Sequence, residues 1–174
     1  MSTQAAGSPT LALAGFAARL RFADLPAAVV RQAQRLVLDA LGCGLYGSSL
    51  EPSEHLRAML LAEGGPGGIT LWGRPERLPL LDAVLANGTA VTAARVDDTH
   101  REAMIHGGAV LVPTCLALAE RRGPVDGRAL LTAIVAGCEV GTRVGLAAGI
   151  GMMRRGFEPA AYSGTFCAAA AAGR

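Results

Sequence analysis

The sequence predicts an all-α fold, a bundle-like packing of helices with at most one short β-hairpin near residues 69–78. Three observations lead there. Apolar residues recur with a period near 3.6 along most of the chain. Small residues dominate, with 23 Gly and many Ala, a composition suited to helices that approach closely. Only one short run, Ile69–Trp72, combines β-formers with flanking turn residues. A length of 174 residues is one domain's worth, against roughly 100–200 residues per domain. It is enough to hide about 70% of the unfolded surface.

The elements follow in order. Residues 1–9 lack any pattern and are expected to be disordered. Leu11–Ala18 is a short apolar stretch. In Pro26–Cys43, Val29, Ala33, Leu36 and Ala40 share one face, and Arg31, Gln32, Arg35 and Asp39 share the other. Asp24 reads as the N-cap of that helix, and Pro26 sits in its first turn, where no N–H is required. Gly42, Gly44 and Gly47 are expected to interrupt or end it. A helix over Pro52–Glu63 turns Leu56, Met59 and Leu60 inward and stops at Gly64-Gly65-Pro66. After the hairpin, Leu80–Ala94, Gly108–Arg122 and Gly127–Gly149 read as helices, the last interrupted by glycines. Ala160–Ala172 begins another.

Composition removes several function classes. Apolar residues make up 51% and charged residues 17%, which excludes intrinsic disorder. A net charge of +2 gives no nucleic-acid footprint. All 16 basic residues are Arg, so a lysine Schiff base and a phosphate-loop lysine are excluded from this chain. The apolar tract Ala129–Met153 carries Glu139 and Arg143. These are costly in a bilayer but able to pair at i, i+4 on a helix, so no membrane partner is expected. Cys43, Cys115, Cys138 and Cys167 are widely spaced. They read as buried hydrophobes in a reducing, cytoplasmic setting.

Gly42-x-Gly44-x-x-Gly47 matches a dinucleotide-binding pattern. It follows an amphipathic helix instead of a strand, so close helix packing is the better reading. Gly64–Gly68 is a turn, and His55 is a surface residue. The informative stretch runs from Asn87-Gly88-Thr89 through Arg95-Val96-Asp97-Asp98-Thr99-His100-Arg101-Glu102 to His106-Gly107-Gly108. Imidazoles exchange protons near neutral pH, and a neighbouring carboxylate fixes their tautomer or shares the proton. Arg95 and Arg101 suit bidentate grip on substrate carboxylates. The competing reading is a solvated loop that caps the next helix. His100 and His106 are not spaced as H-E-x-x-H, so no metal site is assigned. Cys115, inside an apolar helix, reads as inert.

The same stretch resembles the MmgE/PrpD family, which includes 2-methylcitrate dehydratase, cis-aconitate decarboxylase and iminodisuccinate epimerase. Matching blocks occur in order: Leu38-Asp39-Ala40-Leu41-Gly42, then Leu85-Ala86-Asn87-Gly88-Thr89-Ala90, Asp97-Asp98-Thr99-His100, His106-Gly107-Gly108-Ala109, Gly137-x-Glu139 and Gly164-Thr165. The resemblance implies a metal-independent, cofactor-free lyase or isomerase, 2-methylcitrate dehydratase-like, that moves protons at carbon on small di- or tricarboxylates. It also implies a mostly dimeric protein whose site lies between a helical domain and an α/β lid. On this reading His106 is the acid/base group, and Asp97 or Asp98 orients it or shares its proton. Thr99, Arg95 and His100 bind substrate.

Glu158, in Gly156-Phe157-Glu158-Pro159, stands where the family has histidine, and is assigned to take over its role. Arg95 stands where the family has an acid. Residues 1–174 are expected to be the helical domain only, cut before the lid and its catalytic lysine. Alone the chain is expected to be inactive, with either a homodimer or a separate lid-bearing chain as partner. The alternative is a non-catalytic helical dimerisation module or a degenerate family member.

Overall fold

The computed structural model describes residues 8–174. Within them seven α-helices accompany one two-stranded hairpin, which matches the all-α expectation. They are α1 (Pro9–Arg19), α2 (Ala27–Gly47), α3 (Glu51–Glu63), β1 (Ile69–Thr70), β2 (Arg77–Leu78), α4 (Leu80–Ala93), α5 (Gly107–Arg122), α6 (Gly127–Arg154) and α7 (Pro159–Ala172). The disorder expected for residues 1–9 concerns mostly positions outside the described residues, but Pro9 itself opens α1.

Asp24 does not cap α2. It closes a 3₁₀ turn at Phe22–Asp24, where its carboxylate accepts hydrogen bonds from the Arg21 backbone and guanidinium. Pro26 takes the N-cap position instead. Gly42 and Gly44 do not interrupt α2, and the helix ends at Gly47. Gly44 and Gly47 lie on the side that meets the hairpin and α4, while Gly42 faces open space. A Cβ at Gly44 would stand 2.6 Å from the Trp72 ring, and one at Gly47 only 1.9 Å from the Ala90 carbonyl oxygen. Missing side chains here let two helix backbones touch, as expected of close packing. Met59, expected inside, is half exposed, while Leu60 is buried. Glu54–Arg57–Glu76 and Glu54–Arg74 ion pairs tie α3 to the hairpin, and Met59 lies outside that contact.

The hairpin pairs Ile69 with Leu78 and Thr70 with Arg77, antiparallel. Buried Asn87 on α4 holds it. Its Oδ1 accepts from the Trp72 N–H at 2.9 Å, and its Nδ2 donates to the Thr70 carbonyl at 3.0 Å. One core cluster lies under the hairpin, around Leu60, Leu71, Leu78 and Ala83. A second lies between α5, α6 and α7, around Ile105, Leu111, Ile134 and Cys167. A third, with Val91, Val112 and Trp72, joins them. Burying side chains of this size stabilises by about 1.5–3 kcal/mol each.

Helix α6 runs past its expected end to Arg154, but Gly149 breaks it with φ +59°. It is long and apolar enough to cross a membrane by composition, yet half of its most apolar window is buried in the fold. Glu139 and Arg143 pair along its exposed side. Helix α5 is the centre of the molecule. Helices α4 and α7 pack on either side of it. Gly88 of α4 approaches the Ala109 carbonyl, and Gly164 of α7 approaches Val110.

Candidate functional site

The loop between α4 and α5 begins at Arg95, whose φ of +57° reverses the chain. A bridge between His100 and Ile105 then closes its tip, with mutual backbone hydrogen bonds at 2.9 and 3.3 Å. The His100 ring stays within this tip. Its Nδ1 accepts from the Ala103 N–H at 3.1 Å and lies 3.7 Å from Glu102. His100 therefore shapes the loop locally.

Asp97 and Asp98, adjacent in sequence, point to different surroundings. Asp98 Oδ1 accepts from the Gly108 N–H at 2.8 Å, which satisfies one of the free donors at the start of α5. The Asp98 N–H in turn donates to Asp39 on α2 at 3.2 Å. A Cβ on Gly108 would stand 2.4 Å from Asp98 Oδ1, so the second glycine of His106-Gly107-Gly108 makes room for the carboxylate. Burial pushes the Asp98 carboxyl up from its ordinary value. The Gly108 hydrogen bond opposes that shift, while Asp97 and Asp39 add to it.

The Asp97 side chain is only 1% exposed, and its Oδ2 lies 3.2 Å from His106 Nδ1. The two atoms are close but not aligned as a hydrogen bond. Neither Asp97 oxygen has a hydrogen-bond partner among the described residues. Thr99 Oγ1 lies 3.4 Å from the same Nδ1. Both short contacts use Nδ1, so Nε2 is the ring nitrogen left for a ligand. A buried carboxylate beside one ring nitrogen helps to fix the orientation of an imidazole.

His106 sits at the N-cap position of α5 and lines a groove of about 720 Å³, within the range of small-molecule sites. Helix α5 forms its floor and α4 and α7 its walls. Among its lining residues only Arg95, His106 and Glu158 titrate. Thr89 and Thr92 of α4, Thr114 of α5 and Thr165 of α7 supply hydroxyls. The structure thus gathers Arg95, His106 and Glu158 on one surface, with Asp97 behind it. Asp98, Thr99 and His100 line a separate hollow of about 330 Å³ against α2 and α6. Thr99 is the link between the two.

Sequence reasoning missed the groove threonines and the part played by Asp39. Threonine on an apolar helix carries no signal until the packing partner is known. Asp39 read as one more residue of a polar face.

The remaining grooves do not include His106. One of about 510 Å³ between α1, α6 and α7 has Arg174 as its only titratable lining residue. Burial pushes the Cys115 thiol up to about 12, as it does Cys167, so both are inert sulfhydryls. His55 is exposed. No group of three or more His, Cys, Asp or Glu among the described residues is placed to hold a metal ion.

Residues 11–174 match the model of the MmgE/PrpD N-terminal domain. The chain belongs to the MmgE/PrpD family. Among its curated relatives, the cis-aconitate decarboxylase-like protein oryM of Aspergillus oryzae is 33% identical over 97% of this chain and 36% of its own length. The cis-aconitate decarboxylase of Homo sapiens is 35% identical over 89% and 33% respectively. That of Aspergillus terreus is 28% identical over 95% and 35%. This MmgE/PrpD chain therefore spans about a third of the length of the curated relatives it matches.

Proposed function

We propose that the chain is the helical part of a lyase that transfers protons at carbon on small di- or tricarboxylates, with cis-aconitate the first substrate to try. The observation that carries this reading is the buried Asp97 carboxylate 3.2 Å from His106 Nδ1, with the ring on the wall of a groove. In this role the His106 imidazolium delivers its Nε2 proton to the substrate carbon, and Asp97 beside Nδ1 orients the ring. In a decarboxylation, the bond to the departing carboxylate breaks and its electron pair moves into the carbon skeleton. The carbon that receives that pair takes the proton, and carbon dioxide leaves.

Relatives named as cis-aconitate decarboxylases support that substrate over 2-methylcitrate. The groove is open along its length, which supports a closing element from a lid domain or a second copy of the chain. Four free cysteines, three of them buried, support a reducing cytoplasmic setting.

Turnover of cis-aconitate is followed by NMR, on the chain with and without a co-expressed segment matching the remainder of its relatives. We expect activity only with both parts present. His106→Ala and Asp97→Asn should each lower it by about 10²–10⁴-fold, the usual worth of acid–base assistance. Unchanged turnover by His106→Ala would remove the ring from the mechanism and favour a non-catalytic helical module.

A further inference from the structure

Arg95 and Glu158 are charged residues at helix ends where local structure asks for something else. Arg95 follows α4 in the left-handed region, φ +57°, a place where glycine or asparagine is the unstrained choice. Its N–H closes the turn onto the Thr92 carbonyl at 3.0 Å, but its guanidinium makes no hydrogen bond or ion pair among the described residues. Glu158 holds the N-cap position of α7, and its side chain caps nothing. A shorter side chain would serve there. Neither residue is explained by the helix end it occupies.

Both line the groove that holds His106. Helices α4 and α7 flank α5 and make no broad contact with each other. Arg95 and Glu158 therefore stand at the ends of different walls, a cation on one and an anion on the other, with the imidazole at the end of the floor helix. The remaining lining residues are neutral. A tricarboxylate would bring three negative charges to one guanidinium and meet a carboxylate on the other wall. A small molecule that carries a protonated amine beside its carboxylates, as aspartate does, offers a partner to each wall. The guanidinium grips the carboxylate bidentately and the Glu158 carboxylate accepts from the ammonium. Discrimination comes as much from repulsion by Glu158 as from attraction.

We propose that Arg95 and Glu158 are the specificity-determining pair of the groove, and that it takes a small amino-carboxylate of the aspartate type in preference to a tricarboxylate. This rests on the reading that the groove around His106 is the substrate site, and it changes only the class of carboxylate.

The test titrates L-aspartate and cis-aconitate into the chain by calorimetry. The His106 imidazole NMR signal, assigned by its loss in His106→Gln, reports whether either binds in the groove. We expect aspartate to move that signal and to bind at least tenfold more tightly than cis-aconitate. Glu158→Gln should reverse the order, Glu158→Asp should keep it, and Arg95→Gln should weaken both ligands at least tenfold. Both positions are exposed, and circular dichroism confirms that the variants fold. If cis-aconitate moves the His106 signal and Glu158→Gln leaves the preference unchanged, the selector is overturned and the lyase reading stands. If neither ligand moves that signal, the site itself is overturned.

Discussion

Asp97 and Asp98 show how much a single residue step decides. One carboxylate is buried behind the catalytic candidate, and the other is used to start a helix. Their side chains diverge because the loop is closed at its tip by the His100–Ile105 bridge while α5 must find a partner for its first free N–H groups. Asp98 has a measurable consequence for stability. Burial raises its folded-state pKa above the ordinary value near 3.8. The native state therefore holds the proton more tightly than the unfolded chain does. The stabilisation this brings is complete below the unfolded value and is lost as pH rises through the raised one. Asn at this position keeps an acceptor for the Gly108 N–H and cannot ionise. Urea titrations between pH 3 and pH 7 should show Asp98→Asn gaining on the wild type as pH rises, with the change confined to that window. A difference that is flat with pH would contradict the assignment. The sequence put both aspartates next to His106 in the chain, and so identified the neighbourhood. It carried no information on which one lies against the ring, because that depends on Gly108 leaving room for Asp98.

Helix boundaries were legible because apolar spacing, proline and glycine act locally. Helices α3, α4, α5 and α7 begin and end within a residue or so of where those signals put them. The departures come from contacts that are distant in sequence. Helix α2 continues through Gly42 and Gly44 to end at Gly47, since the last two glycines are pressed against Trp72 and Ala90, and tertiary packing outweighs the low helix propensity of glycine. Helix α6 passes its expected end because its break at Gly149 is a single left-handed residue after which the turns resume. The same glycines offer a contrast within one helix. Nothing lies within 4 Å of a Cβ at Gly42, so Gly42→Ala should stabilise by about 0.8–1 kcal/mol through helix propensity alone. At Gly47 the added carbon would meet the Ala90 carbonyl oxygen at 1.9 Å. Gly47→Ala should therefore destabilise by about 1–3 kcal/mol as α2 and α4 are forced apart. Chemical denaturation of the two variants decides it. Equal effects would mean that the α2–α4 approach is not as close as described.

Across the whole molecule, two kinds of cohesion are kept apart. Helices α5, α6 and α7 are joined by apolar contact, with Leu111, Ile134 and Cys167 almost fully out of water, and that part supplies the floor and one wall of the groove with His106. The corner made by α3 and the hairpin has its own apolar cluster, but it is also laced by Arg57 to Glu54 at 2.8 Å, Arg57 to Glu76 at 2.6 Å and Arg74 to Glu54. Each of these side chains is about a quarter to a third exposed. Pairs in that position feel dissolved ions, whose screening length shrinks to about 3 Å at 1 M salt. Raising sodium chloride from 0.1 to 1 M should therefore speed amide hydrogen exchange in α3 and the hairpin and leave that of α5 unchanged. A uniform response along the chain would contradict this division. If it holds, the protein carries a salt-loosened flap at one end, and ionic strength becomes a dial that unfastens it while the floor helix beneath His106 stays shut.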